Sequence, residues 1–125
     1  MSVKVELERL LEVAEGLGTI PMLLTTDDDG RPRASAVSLT WAGEDVRVRA
    51  GHRSVANASV RPLVSLLWPA PPGDRFALLV DGEVSDVVTD PVPDEPSEVG
   101  RRARPGGYVT VRTTSGILHS VGRPH

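Results

Sequence analysis

The sequence predicts a mostly-β domain, an antiparallel barrel of about six strands with an amino-terminal helix and short connecting helices. Three observations predict it. Short apolar runs recur along the chain, each closed by glycine, proline or aspartate. Helical spacing is sustained only at the start of the chain. The length, 125 residues without a cysteine, suits one core that needs no disulfide staples.

The elements follow in order. Val3, Leu7, Leu10, Leu11 and Ala14 fall on one helical stripe, so a helix is expected over 3–15, capped by Ser2 and stopped by Gly16 and Gly18. The segment 19–26, TIPMLLTT, reads as a strand, and the DDDG that follows is a turn. The next strand is RASAVSLTW, 33–41. Past a Gly-Glu-Asp turn comes VRVRA, 46–50, with valines on one face and arginines on the other. These three are expected to form an antiparallel meander. Residues 54–60 suit a short helix ended by Arg61-Pro62, and LVSLLW after it suits a buried strand. For 75–89 the residues allow a hairpin at Asp81-Gly82 or one long strand with a glycine bulge. Residues 90–107 read as a loop with one helical turn near 95–103, 108–118 as a last strand, and SVGRPH as a loose tail. All 125 residues are expected to form a single domain.

Several function classes are set aside at this level. The net charge of −3 gives no global attraction to nucleic acid, and the four aromatics are too few for a base-stacking platform. No secretory leader or bilayer-length apolar run is visible, so a cytoplasmic protein is expected, with no membrane partner. Phosphate-loop and dinucleotide fingerprints are missing. His52, His119 and His125 lack metal-pair spacing, so no metal is expected. Lys4 is the sole lysine, in what reads as an exposed first turn, which argues against a Schiff base.

Two stretches carry chemistry. In RAGHRSVANASV, Ser54 stands where a helix would begin, where its hydroxyl caps one amide while the others point outward. Arg53 adds a fork suited to phosphate, with Arg49 and His52 close by in the chain. The residues alone fit an anion site or a surface turn with solvated arginines. In RASAVS, the small residues Ala34, Ser35, Ala36 and Ser38 leave room for a flat ligand against the backbone, or for close packing on another strand or subunit.

The order of parts is the more specific signal: helix, strand, DDDG, GRPRASAVSLTW, turn, VRVRAGHRSVANASVRPLVSLLW, then RFALLVDGEV. Over roughly residues 5–90 it resembles the pyridoxamine 5′-phosphate oxidase-like family of flavin-binding split β-barrels. The resemblance implies a six-stranded antiparallel Greek-key split barrel, with 75–88 as one continuous strand. It implies a homodimer with cofactor sites at the interface and a small-molecule substrate. The isoalloxazine would lie along Ser35, Ala36, Val37 and Ser38. The phosphate would sit near Arg53 and Ser54, with Arg49, Ala50, His52 and Asn57 nearby. In the oxidases an arginine stands at the position of Ser35, a role open here to Arg33 on the same face. The family often has lysine where this chain has Ser54, and the oxidases' carboxy-terminal tryptophan-arginine motif is missing. The activity implied is that of an FMN-dependent oxidoreductase of unspecified substrate. A deazaflavin-dependent reductase, or a non-catalytic flavin- or haem-binding module, are the alternatives on the same barrel.

Overall fold

The computed structural model describes residues 1–91 and 105–120. Eight strands and two helices follow in the order β1 (Ser2–Val5), α1 (Leu10–Leu17), β2 (Met22–Thr26), β3 (Pro32–Ala36), β4 (Ser38–Ala42), β5 (Asp45–Ala50), α2 (His52–Val60), β6 (Leu63–Trp68), β7 (Phe76–Thr89) and β8 (Gly107–Ser120). The split-barrel fold expected from the sequence is the one observed, with more strands than the six expected. The helical turn expected near 95–103 and most of the loose tail lie outside the described residues.

The amino terminus differs from the expected single helix. Residues 2–5 form a strand paired to the far end of β8, Ser2 opposite His119 and Val5 opposite Gly116. A single 3-10 turn at Leu7–Arg9 then leads into α1. The helical stripe is real from Leu10 on, where Leu10 and Ala14 are buried, and Gly18 ends the helix with φ 68°. Ser2 caps nothing; its hydroxyl is 2.9 Å from Nδ1 of His119.

The expected meander is also replaced. The hydrogen-bonded path is β3-β2-β6-β7-β8-β5-β4, all antiparallel, with β1 added beside β8. RASAVSLTW is therefore two strands that meet at Val37. β3 pairs with β2, β4 pairs with β5, and the two stand at opposite ends of the path. Because Ala36 and Ser38 flank one residue, a sheet whose two ends they terminate must curl until those ends meet. The seam is closed by the chain itself.

The local chemistry of the turns explains the hairpins. Gly43, with φ 64°, occupies the first of two loop positions between Ala42 and Asp45, as a primed two-residue turn requires. Gly30, with φ 83°, donates to the Asp27 carbonyl and closes the DDDG turn. At 76–89 the single-strand alternative is the observed one, with register irregularities at Asp81/Gly82 and Val84/Asp86. Gly82 is a close-approach glycine, since a Cβ there would lie 2.8 Å from the Arg112 carbonyl oxygen.

Inside the barrel, Leu23, Val46, Val48, Leu66, Leu78, Val80, Val109 and Val111 are fully buried. Trp41 stacks on Trp68 with ring centroids 5.9 Å apart. On the opposite face, cross-strand partners form one apolar row, Ala36–Met22–Leu67–Leu79–Ile117, across β3, β2, β6, β7 and β8. Among the described residues no helix is long and apolar enough to cross a membrane.

Candidate functional site

A groove of about 540 Å³ opens at the seam, lined by Ile20, Ala36, Val37, Ser38, Arg49, Ala50, Gly51 and Gly106. Its volume falls in the range usual for small-molecule sites. Apart from Ile20, the buried Val37 and Arg49, the residues lining the groove are small. Among the described residues β3 and β4 are each paired on one edge only, so their outer edges have no ladder partner, while the Val37 amide between them donates to the Pro21 carbonyl at 3.1 Å. Ile20, 69% exposed, offers an apolar surface at the rim.

α2 begins beside this groove. Gly51 is its N-cap, in extended conformation, and supplies no side-chain cap. Val55 donates to the Gly51 carbonyl at 3.0 Å, which makes His52, Arg53 and Ser54 the first turn, with amides left over from the helical pattern. The helix thus starts two residues earlier than Ser54. Ser54 is buried, 5% exposed, and its hydroxyl lies 3.1 Å from that of Ser35. The capping role expected of Ser54 is not what the structure shows; its hydroxyl instead ties α2 to β3.

A second, polar depression of about 350 Å³ is lined by Asp27, Asp28, Asp29, His52, Arg53, Ala56 and Asn57. Its floor is Asp27. This carboxylate accepts from Arg33 Nε at 2.6 Å and from Asn57 Nδ2 at 2.9 Å, and Arg53 Nε stands 3.6 Å away. Asn57 also donates to Thr25 Oγ1 at 3.2 Å. The Arg33 and Asn57 hydrogen bonds hold the Asp27 carboxyl below the usual carboxylate range, against the opposing push of burial. The same bond raises the Arg33 guanidinium above its ordinary value.

That direction fixes a pH dependence. A carboxylate whose folded value is depressed stabilises the fold above its ordinary value and loses that contribution as pH falls through the folded one. The stability difference between wild type and Asp27→Asn, measured by urea denaturation, is expected to be constant at neutral pH. It should shrink below about pH 4, where Asp27 of the unfolded chain takes up a proton that the folded carboxylate still refuses, and it should vanish as pH falls through the depressed folded value. A gap that stays constant down to pH 3 would show that Asp27 is not the titrating group.

Arg49 is held differently. Its Nη1 donates to Asp90 Oδ1 at 2.8 Å and its Nη2 to Oδ2, a two-pronged pair. Its Cζ is 5.0 Å from the Tyr108 ring centroid, and Arg47 Cζ is 4.1 Å from the same centroid. The pairing raises Arg49 and lowers Asp90 from their ordinary values.

The residues singled out by sequence therefore divide in three. Ala36, Val37, Ser38, Arg49 and Ala50 line the seam groove. His52, Arg53 and Asn57 line the polar depression. Arg33, Ser35 and Ser54 make contacts inside the domain, and neither Ser35 nor Arg33 lines the groove. Sequence reasoning missed Ile20, Asp27, Asp90 and Gly106. For Asp27 there was a signal: Leu23, Thr25 and Asp27 continue one inward period-2 face past the end of β2.

No family model and no curated protein matches the sequence. Solved structures do match. One is an F420 reductase, 24% identical, with 82% of this chain and 94% of that chain covered and a TM-score of 0.61. A second is an FMN-binding protein from Syntrophomonas wolfei, 12% identical, covering 94% and 88%, with a TM-score of 0.66. A third is a Clostridium acetobutylicum protein related to general stress protein 26 of B. subtilis, of the pyridoxinephosphate oxidase family, 14% identical, covering 93% and 91%, with a TM-score of 0.63. This chain shares their fold.

Proposed function

We propose that this chain is a flavin-binding member of the pyridoxamine 5′-phosphate oxidase-like split barrels, acting on a small molecule as an FMN-dependent oxidoreductase. The observation that carries the reading is the pairing of two sites across one peptide bond. Gly51 lines an apolar, small-residue groove with unpaired strand edges, and His52 and Arg53 line a polar depression at an uncapped helix start.

That arrangement fits a ligand with a flat ring system and an anionic tail. Ala36, Val37, Ser38 and Ala50 would hold the ring against backbone, with Ile20 covering its edge. Arg53, whose side chain is 69% exposed, would take the phosphate together with the first-turn amides of α2. His52 stands beside it as a further donor. Hydride transfer is the chemistry a flavin supplies in such a site; the protein supplies position and electrostatics. Fold and cofactor class leave the substrate open.

The outward apolar row reaches the groove at Ala36. A second copy of the chain seated on that row would place the cofactor at a dimer interface, in keeping with the role apolar patches play. A deazaflavin coenzyme is the second reading, favoured by the F420 reductase, whose identity to this chain is twice that of the FMN-binding protein.

The deciding experiment titrates the purified protein with FMN, riboflavin and the deazaflavin coenzyme, following ligand fluorescence, with light scattering on the same samples. Saturable quenching by FMN at one ligand per chain, in particles of two chains, is the expected result. Saturation by the deazaflavin alone selects the second reading, and a protein that takes up none of the three refutes both.

A further inference from the structure

Arg49 sits in the groove with its charge already matched. Both terminal nitrogens donate to the two oxygens of Asp90, and the Tyr108 ring lies against one side of the guanidinium. Asp90 does not depend on Arg49 for its place. Its amide donates to the Gly106 carbonyl at 2.9 Å, one step beyond the Thr89–Gly107 pair that ends the β7–β8 ladder. A planar fork paired this way is close to neutral as a unit, while its Nε–H and the outer N–H bonds still point elsewhere. Such a pair donates well to a carbonyl oxygen but offers a phosphate little net attraction, because the phosphate meets the Asp90 charge at nearly the same distance.

Arg53 is in the opposite state. Its ion pair with Asp27 is 3.6 Å long, Asp27 is shared with the shorter Arg33 and Asn57 bonds, and the Arg53 side chain is largely exposed. Of the two arginines flanking the start of α2, one is neutralised and fixed, the other loosely paired and accessible.

We propose that Asp90 is a specificity-determining residue: by holding Arg49 as a neutral pair, it reserves the groove for an uncharged, carbonyl-bearing part of the ligand and directs the anionic part to Arg53. The identity of that ligand rests on the flavin reading above. The partition of charge between the two arginines does not, and inorganic phosphate alone tests it.

The test is calorimetric titration of the full chain with inorganic phosphate at low ionic strength. Arg53→Ala is expected to weaken phosphate binding at least tenfold. Adding Asp90→Asn to that variant should recover binding at least tenfold, because Arg49 becomes an uncompensated cation. Adding Arg49→Gln as a third change should abolish the recovery. Asp90→Ser in the Arg53→Ala background serves as the second variant and should give the same recovery, whereas Asp90→Glu, which keeps the charge, should give none. If folded Arg53→Ala/Asp90→Asn and Arg53→Ala/Asp90→Ser bind phosphate no better than Arg53→Ala, the proposal is overturned. Riboflavin titration of the wild type separates the two questions. A failure to bind riboflavin alongside the expected phosphate pattern removes the flavin reading and keeps the role of Asp90. Riboflavin binding with no recovery does the reverse.

Discussion

Arg53→Ala is expected to lower FMN affinity about tenfold to a hundredfold while leaving riboflavin affinity within about twofold of wild type. The range follows from a charge-assisted hydrogen bond, worth about 1.5–3 kcal/mol when a charged partner is removed. Riboflavin lacks the phosphate, so its binding reports the groove alone. The geometry makes Arg53 the right residue to change. Arg33 is committed to Asp27 at 2.6 Å and Arg49 to Asp90, and removing either would leave a carboxylate without its main partner. Arg53 contributes only the longer 3.6 Å contact to Asp27, so its loss should scarcely disturb the fold. Unchanged FMN affinity would refute the phosphate assignment, and an equal fall for riboflavin would mean the groove itself had been deformed.

The second large effect is on stability. Gly107→Ala is expected to destabilise the fold by about 1–3 kcal/mol, the cost of forcing extra volume into a closed contact. A Cβ at 107 would fall on the Val88 carbonyl oxygen, and the Thr89 Cα is 3.1 Å from the same point. Both are backbone atoms of the neighbouring strand, so no side-chain rotation relieves the clash. Gly107 pairs with Ala50 on one side and Thr89 on the other, so the strain must be taken up where β5, β7 and β8 converge on the groove. Chemical denaturation should show the lower midpoint, and flavin affinity should fall with it. For contrast, a Cβ at Gly51 meets nothing within 4 Å, so Gly51→Ala tests the groove without that strain. A wild-type midpoint for Gly107→Ala would mean β7 and β8 can part at this end at little cost.

How much of this was legible depended on whether the information was local. The alternation VRVRA marked β5, and its valines are indeed the buried set. The Gly-Glu turn marked the β4–β5 hairpin. RASAVSLTW concealed the seam because its burial parity does not change there. Residues 33, 35, 37, 39 and 41 keep the inward-leaning parity through the junction. What changes at Val37 is the hydrogen-bonding neighbour, and partner choice leaves no trace in a period-2 pattern. The amino terminus was misread because Val3 fits a helical stripe that begins in earnest only at Leu10. At the site, a helix start beside Arg53 was legible in the sequence, but the sequence places it at Ser54, two residues late, with a serine cap that α2 lacks. The counter-ions were not legible, since Arg49 and Asp90 are 41 residues apart and meet only through the β5–β8–β7 pairing. The contact between the Ser35 and Ser54 hydroxyls, 3.1 Å apart, was equally hidden, because the two residues are distant in the chain and meet only through the fold.

β8 touches three strands, β1, β5 and β7, and supplies the longest-range pairings in the chain, with Ser2 opposite His119. The β2–β3 hairpin joins β7 through β6, whereas the β4–β5 hairpin joins the path only through β8, so the two halves of the sheet are hydrogen-bonded together only where β7 meets β8. The β1–β8 and β5–β8 contacts close large loops before much apolar surface is buried. Such a topology places folding in the slow, millisecond-to-second class of non-local β proteins. The nucleus should contain the β7–β8 ladder, so substitutions in that ladder should retard folding, whereas those at the seam should mainly accelerate unfolding.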